Sequence, residues 1–189
     1  MAKLVVSEFM TLDGVIEDPG GAEGTPTGGW AFRFDNGAEG KRYKYEELMA
    51  AGAQLLGRVT YQGFARAWPT MTGDEFGVKM NEMPKYVVSS SSLDPDWQNS
   101  QRLDGELADG VGGLKERYDG DILVGGSATL VRSLAALGLI DEYRLMVYPV
   151  VLGAGRKLFD GASQSPLRLT DTQPAGECLI LTYVPAEAD

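Results

Sequence analysis

The stretch Asp121–Gly138, DILVGGSATLVRSLAALG, contains the pattern that decides the fold. Its first apolar residues, Ile122–Val124, are bounded by polar residues and predict a short buried strand. After Gly125-Gly126, leucines recur at the i, i+4 and i+7 spacing of one helix face. The helix is expected to end at Gly138, where a C-cap glycine belongs. The stretch therefore predicts a strand, a glycine turn and a helix.

This turn has the geometry of an anion site. A strand that passes through two glycines into a helix leaves backbone N–H groups unpaired at the positive end of the helix dipole. A phosphate group suits such a position. The alternative is a tight strand-to-helix turn that binds nothing.

The composition limits which disulfides, catalytic groups and metal ligands the protein can have. The chain of 189 residues predicts a single domain over residues 1–189. Its single cysteine, Cys178, excludes an internal disulfide and indicates a reducing compartment, which we take to be the cytoplasm. The absence of histidine excludes a Ser-His-Asp triad, a Cys-His dyad and histidine metal ligands, so no metal site is expected.

The net charge indicates which classes of binding partner the protein can have. The 17 Lys and Arg against 27 Asp and Glu give a formal net charge of −10. Such a surface repels nucleic acid, and no basic cluster compensates for it. No run of 18 apolar residues predicts a membrane span, and the N-terminus does not read as a signal peptide. We therefore expect neither a nucleic-acid nor a membrane partner, and a small-molecule ligand instead.

The order of elements predicts an α/β fold. Strands alternate with helices in most of the chain and follow one another at its end, which favours a mainly parallel sheet with an antiparallel C-terminal edge. Strands are predicted at 3–10, 54–57, 85–89, 97–102, 122–124, 141–152, 167–173 and 178–184. Helices are predicted at 37–53, 58–67, 74–83, 106–118 and after Gly126. Pro149 suggests an edge or a bulge in the strand at 141–152.

Two further segments matter for the site. The Gly-, Pro- and Thr-rich loop between Thr11 and Gly29 is long enough to suggest a functional role. In the helix predicted over 37–53, Tyr45, Leu48, Met49 and Gly52 fall near one face. Three charged residues of that helix lie elsewhere: Lys41, Lys44 and Glu47.

Common phosphate motifs are absent. The pair Gly40-Lys41 is not a P-loop, because Asp35 and Arg42 occupy the positions of its first glycine and its hydroxyl residue. Nor does the turn at Gly125 carry the glycines of a dinucleotide fingerprint. Any anion site here is of a less common kind.

Three strand ends nevertheless carry compatible groups. Gly57-Arg58-Val59-Thr60 follows the second strand, Ser89–Ser92 the third, and Gly125-Gly126-Ser127 the strand at 122–124. Ligands of open α/β sheets bind outside the C-terminal strand ends, where these groups would meet. Arginine, hydroxyls and free N–H groups suit a ligand with several phosphates. Each group alone could also be a solvated cap.

These motifs resemble a known family. LLGRVTYQGF, KYVVSSS and DILVGGSATLVRSL, in that order after a strand with TLDG, resemble the dihydrofolate-reductase-like superfamily. DEYRLMVYPVVLGAGRKLF makes the chain more similar to the C-terminal reductase domain of the bacterial bifunctional deaminase-reductase of riboflavin biosynthesis. The likeness covers Lys3 to about Val184. It implies a three-layer fold with helices on both faces of the sheet.

The resemblance also implies an NADPH site. Its adenosine and phosphate side would be formed by Gly57, Arg58, Thr60, Ser89, Ser90 and Ser91, with Arg58 near the 2′-phosphate. Its diphosphate would be held at the helix N-terminus by Gly125, Gly126, Ser127, Ala128 and Thr129. These positions agree with the phosphate-rich ligand that the residues themselves suggest.

The substrate side is less defined. Asp13 and Gly14 would face the substrate beside the nicotinamide, with Asp13 or water as the proton source. Dihydrofolate reductases hold the pterin with a carboxylate at the start of their first helix, and Asp35 stands near that position, although its flanking sequence FRFDNG departs from the family. Asp35 is therefore either a substrate-binding residue or a cap of the following helix.

Together these features predict an NADPH-dependent reductase that transfers a hydride to a C=N or C=O bond of a small heterocyclic or sugar-derived substrate. The resemblance implies a riboflavin precursor, 5-amino-6-(5-phosphoribosylamino)uracil reductase-like chemistry, and a homodimer. Three alternatives stay open: an NADP(H)-binding module without turnover, dihydrofolate reductase-like activity, and glycine turns that are merely structural.

Overall fold

The described part of the chain contains one sheet of eight strands. The computed structural model describes residues 1–161 and 165–186. Its strands are β1 (Leu4–Thr11), β2 (Ala53–Gly57), β3 (Lys85–Val88), β4 (Ser100–Arg102), β5 (Ile122–Val124), β6 (Glu142–Tyr148), β7 (Leu167–Ala175) and β8 (Cys178–Pro185).

The sheet topology confirms the predicted fold class. The strand order is β4-β3-β2-β5-β1-β6-β8-β7. All pairs from β4 to β6 are parallel, and β8 pairs antiparallel with both β6 and β7. Parallel pairing requires long crossovers, which the intervening helices supply.

Five α-helices connect and cover the strands. They are α1 (Gly37–Ala50), α2 (Arg58–Ala67), α3 (Glu75–Glu82), α4 (Leu107–Arg117) and α5 (Ala128–Ala136). Short 3-10 turns occur at Trp30–Arg33 and Trp68–Thr70. None of the helices in the described chain is long and apolar enough to cross a lipid bilayer.

The helices pack on both faces of the sheet. Alternate residues of β1 belong to different cores, as expected for a strand buried on both sides. Leu4 and Val6 pack with residues of α4 and α5, whereas Val5 packs with residues of α1, α2 and α3. This confirms the predicted three-layer arrangement.

Among the strands, the predicted boundaries differ most from the observed ones at two strands. The strand predicted over 141–152 ends at Tyr148, because Pro149 has no N–H to donate to a sheet ladder. It is not an edge strand, since it lies between β1 and β8. The strand predicted over 97–102 is only Ser100–Arg102, and Trp97 is instead buried against Tyr61.

The short length of β5 creates the opening that positions the site. β5 pairs with β1 only from Leu4 to Val6, whereas β1 continues beside β6 to Thr11. Beyond Val124 the chain leaves the sheet and turns into α5. A gap therefore remains between β1 and β2 at the carboxyl end of β5, where the crossover direction reverses and ligands of such sheets bind.

Candidate functional site

A cavity of about 420 Å³ occupies this gap. One end is formed by the turn Gly125–Thr129 and by Thr60 of α2. The middle is lined by Ser7–Phe9 of β1. The far end lies between α1, α2 and α3 and is largely apolar, with Leu48, Phe64, Trp68, Phe76 and Met80 in its wall. Such a cavity has room for an extended ligand with a polar and an apolar end.

The turn at Gly125–Thr129, before and at the start of α5, has the geometry of an anion-binding site. We call it the anion cradle. Ser127 is the N-cap residue, and its Oγ accepts a hydrogen bond from the Leu130 N–H at 3.3 Å. Within residues 1–161 and 165–186, no acceptor pairs with the N–H groups of Ala128 and Thr129. These donors lie at the positive end of the helix dipole, beside the cavity, and suit a phosphate.

Two glycines let the ends of β2 and β5 approach each other. A Cβ on Gly57 would lie 2.4 Å from Ser127 Oγ, and a Cβ on Gly126 would lie 2.8 Å from Thr60 Oγ1. Gly126 also has a φ of 71°, in the left-handed region that glycine tolerates. The structure therefore brings together the predicted residues Gly57, Thr60, Gly126 and Ser127.

The other predicted cofactor residues lie outside the cavity lining, on the adjoining strand ends. Gly57 is paired with Val88 in the sheet, so Ser89 begins its loop next to the start of α2. Arg58 and Ser90 are exposed there. The Ser89 hydroxyl donates to the Ser91 carbonyl at 3.0 Å, and the Ser91 N–H donates to Ser89 Oγ at 3.2 Å. This surface continues from the cradle, and its role in cofactor binding stays a prediction.

Asp13 is engaged within its own loop. Its carboxylate accepts hydrogen bonds from Thr11 Oγ1 at 2.7 Å and from the N–H groups of Leu152 and Gly153 at 3.2 and 2.9 Å. The Thr11 bond, followed by the backbone donors, lowers the pKa of Asp13 to about 2. Asp13 and Gly14 do not line the cavity. A carboxylate that is ionised at neutral pH has no proton to give.

Asp35 likewise lies outside the cavity lining. Its Oδ1 accepts a hydrogen bond from the Gly37 N–H at 2.9 Å and lies 3.6 Å from Lys41 Nζ. The side chain is exposed. This geometry matches the alternative that Asp35 caps α1, because it satisfies a first-turn donor of that helix.

Polar side chains of α1 and β1 line the cavity next to its apolar wall. Glu47 is only 8% exposed, and its Oε2 accepts hydrogen bonds from Ser7 Oγ at 2.8 Å and from Lys44 Nζ. Lys44 Nζ also donates to Ser7 Oγ and lies 5.6 Å from the centroid of the Phe9 ring. Ser7, Lys44 and Glu47, which we call the Lys44 cluster, all line the cavity.

The buried side of α1 does not coincide with the group of residues that the sequence places near one face. Leu48 is buried as expected, but Tyr45 is 38% exposed and Glu47 is buried beside Leu48. Glu47 is held there by an ion pair in which its Oε1 lies 3.5 Å from Arg144 Nη1. The i, i+3 spacing of Lys44 and Glu47 was the available signal, since such pairs share a helix face.

Glu8 is the second buried carboxyl of the cavity. It is 6% exposed, and its Oε1 accepts a hydrogen bond from the Gly126 N–H at 2.6 Å. Burial raises the pKa of Glu8 to about 8, although the Gly126 bond and the charge of Lys44 oppose that rise. No signal in the sequence distinguished Glu8 from a residue on the solvent face of a strand.

Among the residues that the structure describes, no three side chains of His, Cys, Asp or Glu are arranged to hold a metal ion.

The loop that was predicted to be functional does reach the cavity, through Glu17, Pro19, Gly20 and Glu23. Its charges are paired at the rim, where Arg156 forms ion pairs with Glu17 and Glu23.

The sequence matches a known family. The family model of the RibD C-terminal domain matches residues 2–181. The uncharacterized protein YyaP of Bacillus subtilis (strain 168) is 33% identical over 103 residues, which is 54% of this chain and 54% of YyaP. The uncharacterized protein YwjB of the same organism is 28% identical over 189 residues, or 97% of this chain and 98% of YwjB.

Solved structures share the fold. RibD of Acinetobacter baumannii has a TM-score of 0.67 at 18% identity, covering 99% of this chain and 59% of that one. A deaminase and 5-amino-6-(5-phosphoribosylamino)uracil reductase of Thermotoga maritima gives 0.61 at 16%, covering 98% and 57%. Dihydrofolate reductase of Enterococcus faecalis, complexed with NADP(H), gives 0.58 at 14%, covering 98% and 97%. This chain thus spans about three fifths of the length of the Acinetobacter baumannii and Thermotoga maritima chains.

Proposed function

Since the chain belongs to the RibD C-terminal domain family, we propose that its cavity is the active site of an NADPH-dependent reductase. The reaction is hydride transfer to a C=N or C=O bond of a small heterocyclic substrate. The observation that carries the proposal is the free N-terminus of α5, with its unpaired N–H groups, opening into a cavity whose far end is apolar.

The residues of the cradle fit the diphosphate of a nicotinamide cofactor. A Cβ on Gly125 would meet no atom within 4 Å, so a ligand can approach the backbone closely there. The N–H groups of Ala128 and Thr129 supply hydrogen-bond donors without adding side-chain bulk. Arg58, exposed at the start of α2, has the charge and reach to pair with a 2′-phosphate, as guanidinium groups do.

We assign the end of the cavity at the Lys44 cluster to the substrate and call it the substrate end. It supplies a proton and excludes water. The bound nicotinamide would supply the hydride. Lys44 Nζ holds three protons, two of which are directed to Ser7 and Glu47. The third can reach the nitrogen or oxygen on which negative charge develops. Ser7 and Glu47 position the ammonium, and the apolar wall around them strengthens its effect by keeping water out.

The substrate that we propose is a pyrimidine intermediate of the riboflavin type, 5-amino-6-(5-phosphoribosylamino)uracil or a close analogue. A second, open cavity adjoins the first through Lys44, Phe9 and Phe76, and Lys41, Arg42 and Asp74 also line it. Lys41 and Arg42 lie 3.6 and 3.9 Å from the exposed carboxylates of Asp35 and Glu46, and such solvent-exposed pairs can exchange for an anionic tail such as a ribose phosphate. Dihydrofolate, whose tail carries carboxylates, is the second candidate.

Steady-state oxidation of NADPH tests this function. The purified protein is mixed with NADPH and either the phosphoribosyl pyrimidine substrate in its unreduced form or dihydrofolate, and the loss of reduced-cofactor absorbance is followed. Substrate-dependent oxidation with the pyrimidine is expected. Tight NADPH binding without oxidation by any substrate would favour the alternative of a binding module without turnover.

A homodimer is proposed as the working form. β7 is the last strand in the sheet order, and all of its residues except Leu167 and Ala175 are exposed. A long edge strand of this kind is commonly covered by a partner. Size-exclusion chromatography with light scattering is expected to give twice the 20.3 kDa mass of one chain. A monomer at micromolar concentration would contradict it.

A further inference from the structure

Glu8 lies inside the anion cradle and has no cation of its own. Its Oε1 is 2.6 Å from the Gly126 nitrogen, one of the backbone donors of the turn before α5. No ion pair of the described residues includes Glu8. Its Oε2 takes part in no hydrogen bond within that same part of the chain. A buried carboxyl with one free oxygen therefore faces the place where a phosphate would bind.

The charged groups around Glu8 form hydrogen bonds or ion pairs with other groups. On α1, the Lys44 ammonium is bonded to Glu47 and Ser7. On the loop side, Arg156 is paired with Glu17 and Glu23. β5 carries no titratable side chain, and the first one of α5, Arg132, donates to the Asp160 carbonyl. On β6, Arg144 is paired with Glu142, Asp121 and Glu47.

An ionised Glu8 and a bound phosphate would repel each other at this position, which is energetically unfavourable. An ionised Glu8 beside a bound phosphate would place like charges together where little water screens them. A protonated Glu8 would instead offer its carboxyl O–H as a hydrogen-bond donor, while its other oxygen keeps the Gly126 bond. Burial already favours that protonated form, because it raises the pKa of Glu8 to about 8.

We propose that Glu8 is a ligand of the cofactor diphosphate, which it binds only in its protonated form through a carboxyl O–H donated to a phosphate oxygen. This inference rests on the proposed function and adds a residue to the same site. Glu8 thereby couples cofactor binding to proton uptake. No residue of the Gly-rich turn could do so, since backbone N–H groups do not titrate in this range.

The coupling has a defined signature. Below the pKa of the free protein, Glu8 already carries its proton, and its contribution to NADPH affinity is constant. Above that pKa, each NADPH molecule must bring one proton with it, so the affinity falls about tenfold per pH unit. The 2′-phosphate does not produce this slope, because its second ionisation, at a pKa of about 6, is complete at lower pH.

Isothermal titration calorimetry tests the inference directly. NADPH and, separately, NADH, whose diphosphate diester does not titrate in this range, are titrated into the protein between about pH 6 and pH 10, in two buffers of different ionisation enthalpy. The wild type is expected to take up close to one proton per ligand at the alkaline end. Glu8→Gln, which keeps both an acceptor and a donor, is expected to bind with no slope and no uptake. Glu17→Gln, which changes a carboxylate of the rim, is the matched control and should retain the wild-type slope.

The outcomes separate the two proposals. An NADPH affinity of the wild type that does not change across this range would overturn the role of Glu8 and leave the proposed function intact. A slope that persists in Glu8→Gln would also overturn it. If neither NADPH nor NADH binds at any pH, the proposed function and this inference fail together. If Glu8→Gln does not fold, proton uptake by the wild type still decides the matter.

Discussion

Thr60 and Gly126 are packed so closely that a Cβ on Gly126 would lie 2.8 Å from both Cγ2 and Oγ1 of Thr60. Thr60 belongs to the first turn of α2, and Gly126 to the turn before α5. The contact therefore joins the two helix N-termini that follow the neighbouring strands β2 and β5. It makes one continuous polar surface out of two separate strand ends.

Replacing Gly126 by Ala should damage both the fold and the cradle. The added methyl group must displace Thr60, and the φ of 71° is strained for alanine. We expect a loss of about 1–3 kcal/mol in the free energy of unfolding and at least tenfold weaker NADPH binding. Gly73→Ala is the control, because its Cβ would enter open space and the residue lies outside the cavity lining. Chemical denaturation and a fluorescence titration compare the two. Equal stability of the variants would contradict the packing described here.

Arg58 should be responsible for a higher affinity for NADPH than for NADH. If Arg58 pairs with the 2′-phosphate, Arg58→Ala removes a charge-assisted contact and raises the Kd for NADPH by about 10- to 100-fold. The Kd for NADH, which lacks that phosphate, should not change. Arg66→Ala, on the last turn of the same helix, is the matched control. Parallel weakening of both cofactors by Arg58→Ala would exclude a 2′-phosphate contact.

Lys44 should be required for turnover and not for cofactor binding. Lys44→Met removes the proposed proton donor, and kcat should fall by about 10²- to 10⁴-fold, the usual contribution of a general acid. The Kd for NADPH should stay within about twofold of the wild type. Lys157→Met is the control, since that side chain is exposed and lines neither of the two cavities. A kcat that survives Lys44→Met would assign the proton to water or to another residue.

Glu8 should make stability depend on pH. Its pKa is raised from 4.5 to about 8 in the folded protein. The stabilisation that the neutral carboxyl provides is present below the unfolded pKa and is lost as the pH rises through about 8. Glu8→Gln is neutral at every pH. Its unfolding free energy should therefore rise relative to the wild type between about pH 5 and pH 9, by several kcal/mol at most. Denaturation curves at both ends of that range provide the test, and a constant difference would contradict a buried, proton-binding Glu8.

The sequence predicts the fold well because its signals are local. The strand at Ile122–Val124, the glycine turn and the start of α5 at Ala128 follow from an apolar run, two glycines and a leucine spacing within one short stretch. The same is true of α2, which begins at Arg58 directly after a glycine. The parallel order of strands then brings these turns together at one edge of the sheet.

The substrate end could not be predicted in this way. Glu47 is inward because it is paired with Lys44 and Arg144, and Arg144 lies 97 positions later on β6. Glu8 is buried because β5 is too short to continue beside β1, so the side chain meets the Gly126 N–H. Both positions are set by contacts between distant parts of the chain. Local periodicity alone assigns such charged residues to the surface.

A crystal structure of the protein soaked with NADPH tests the central claim most directly. We predict the diphosphate within hydrogen-bond distance of the Ala128 and Thr129 N–H groups, the 2′-phosphate beside Arg58, and the nicotinamide ring directed towards the Lys44 cluster. Density for NADPH at any other surface, with the turn before α5 in contact only with solvent, would contradict the account.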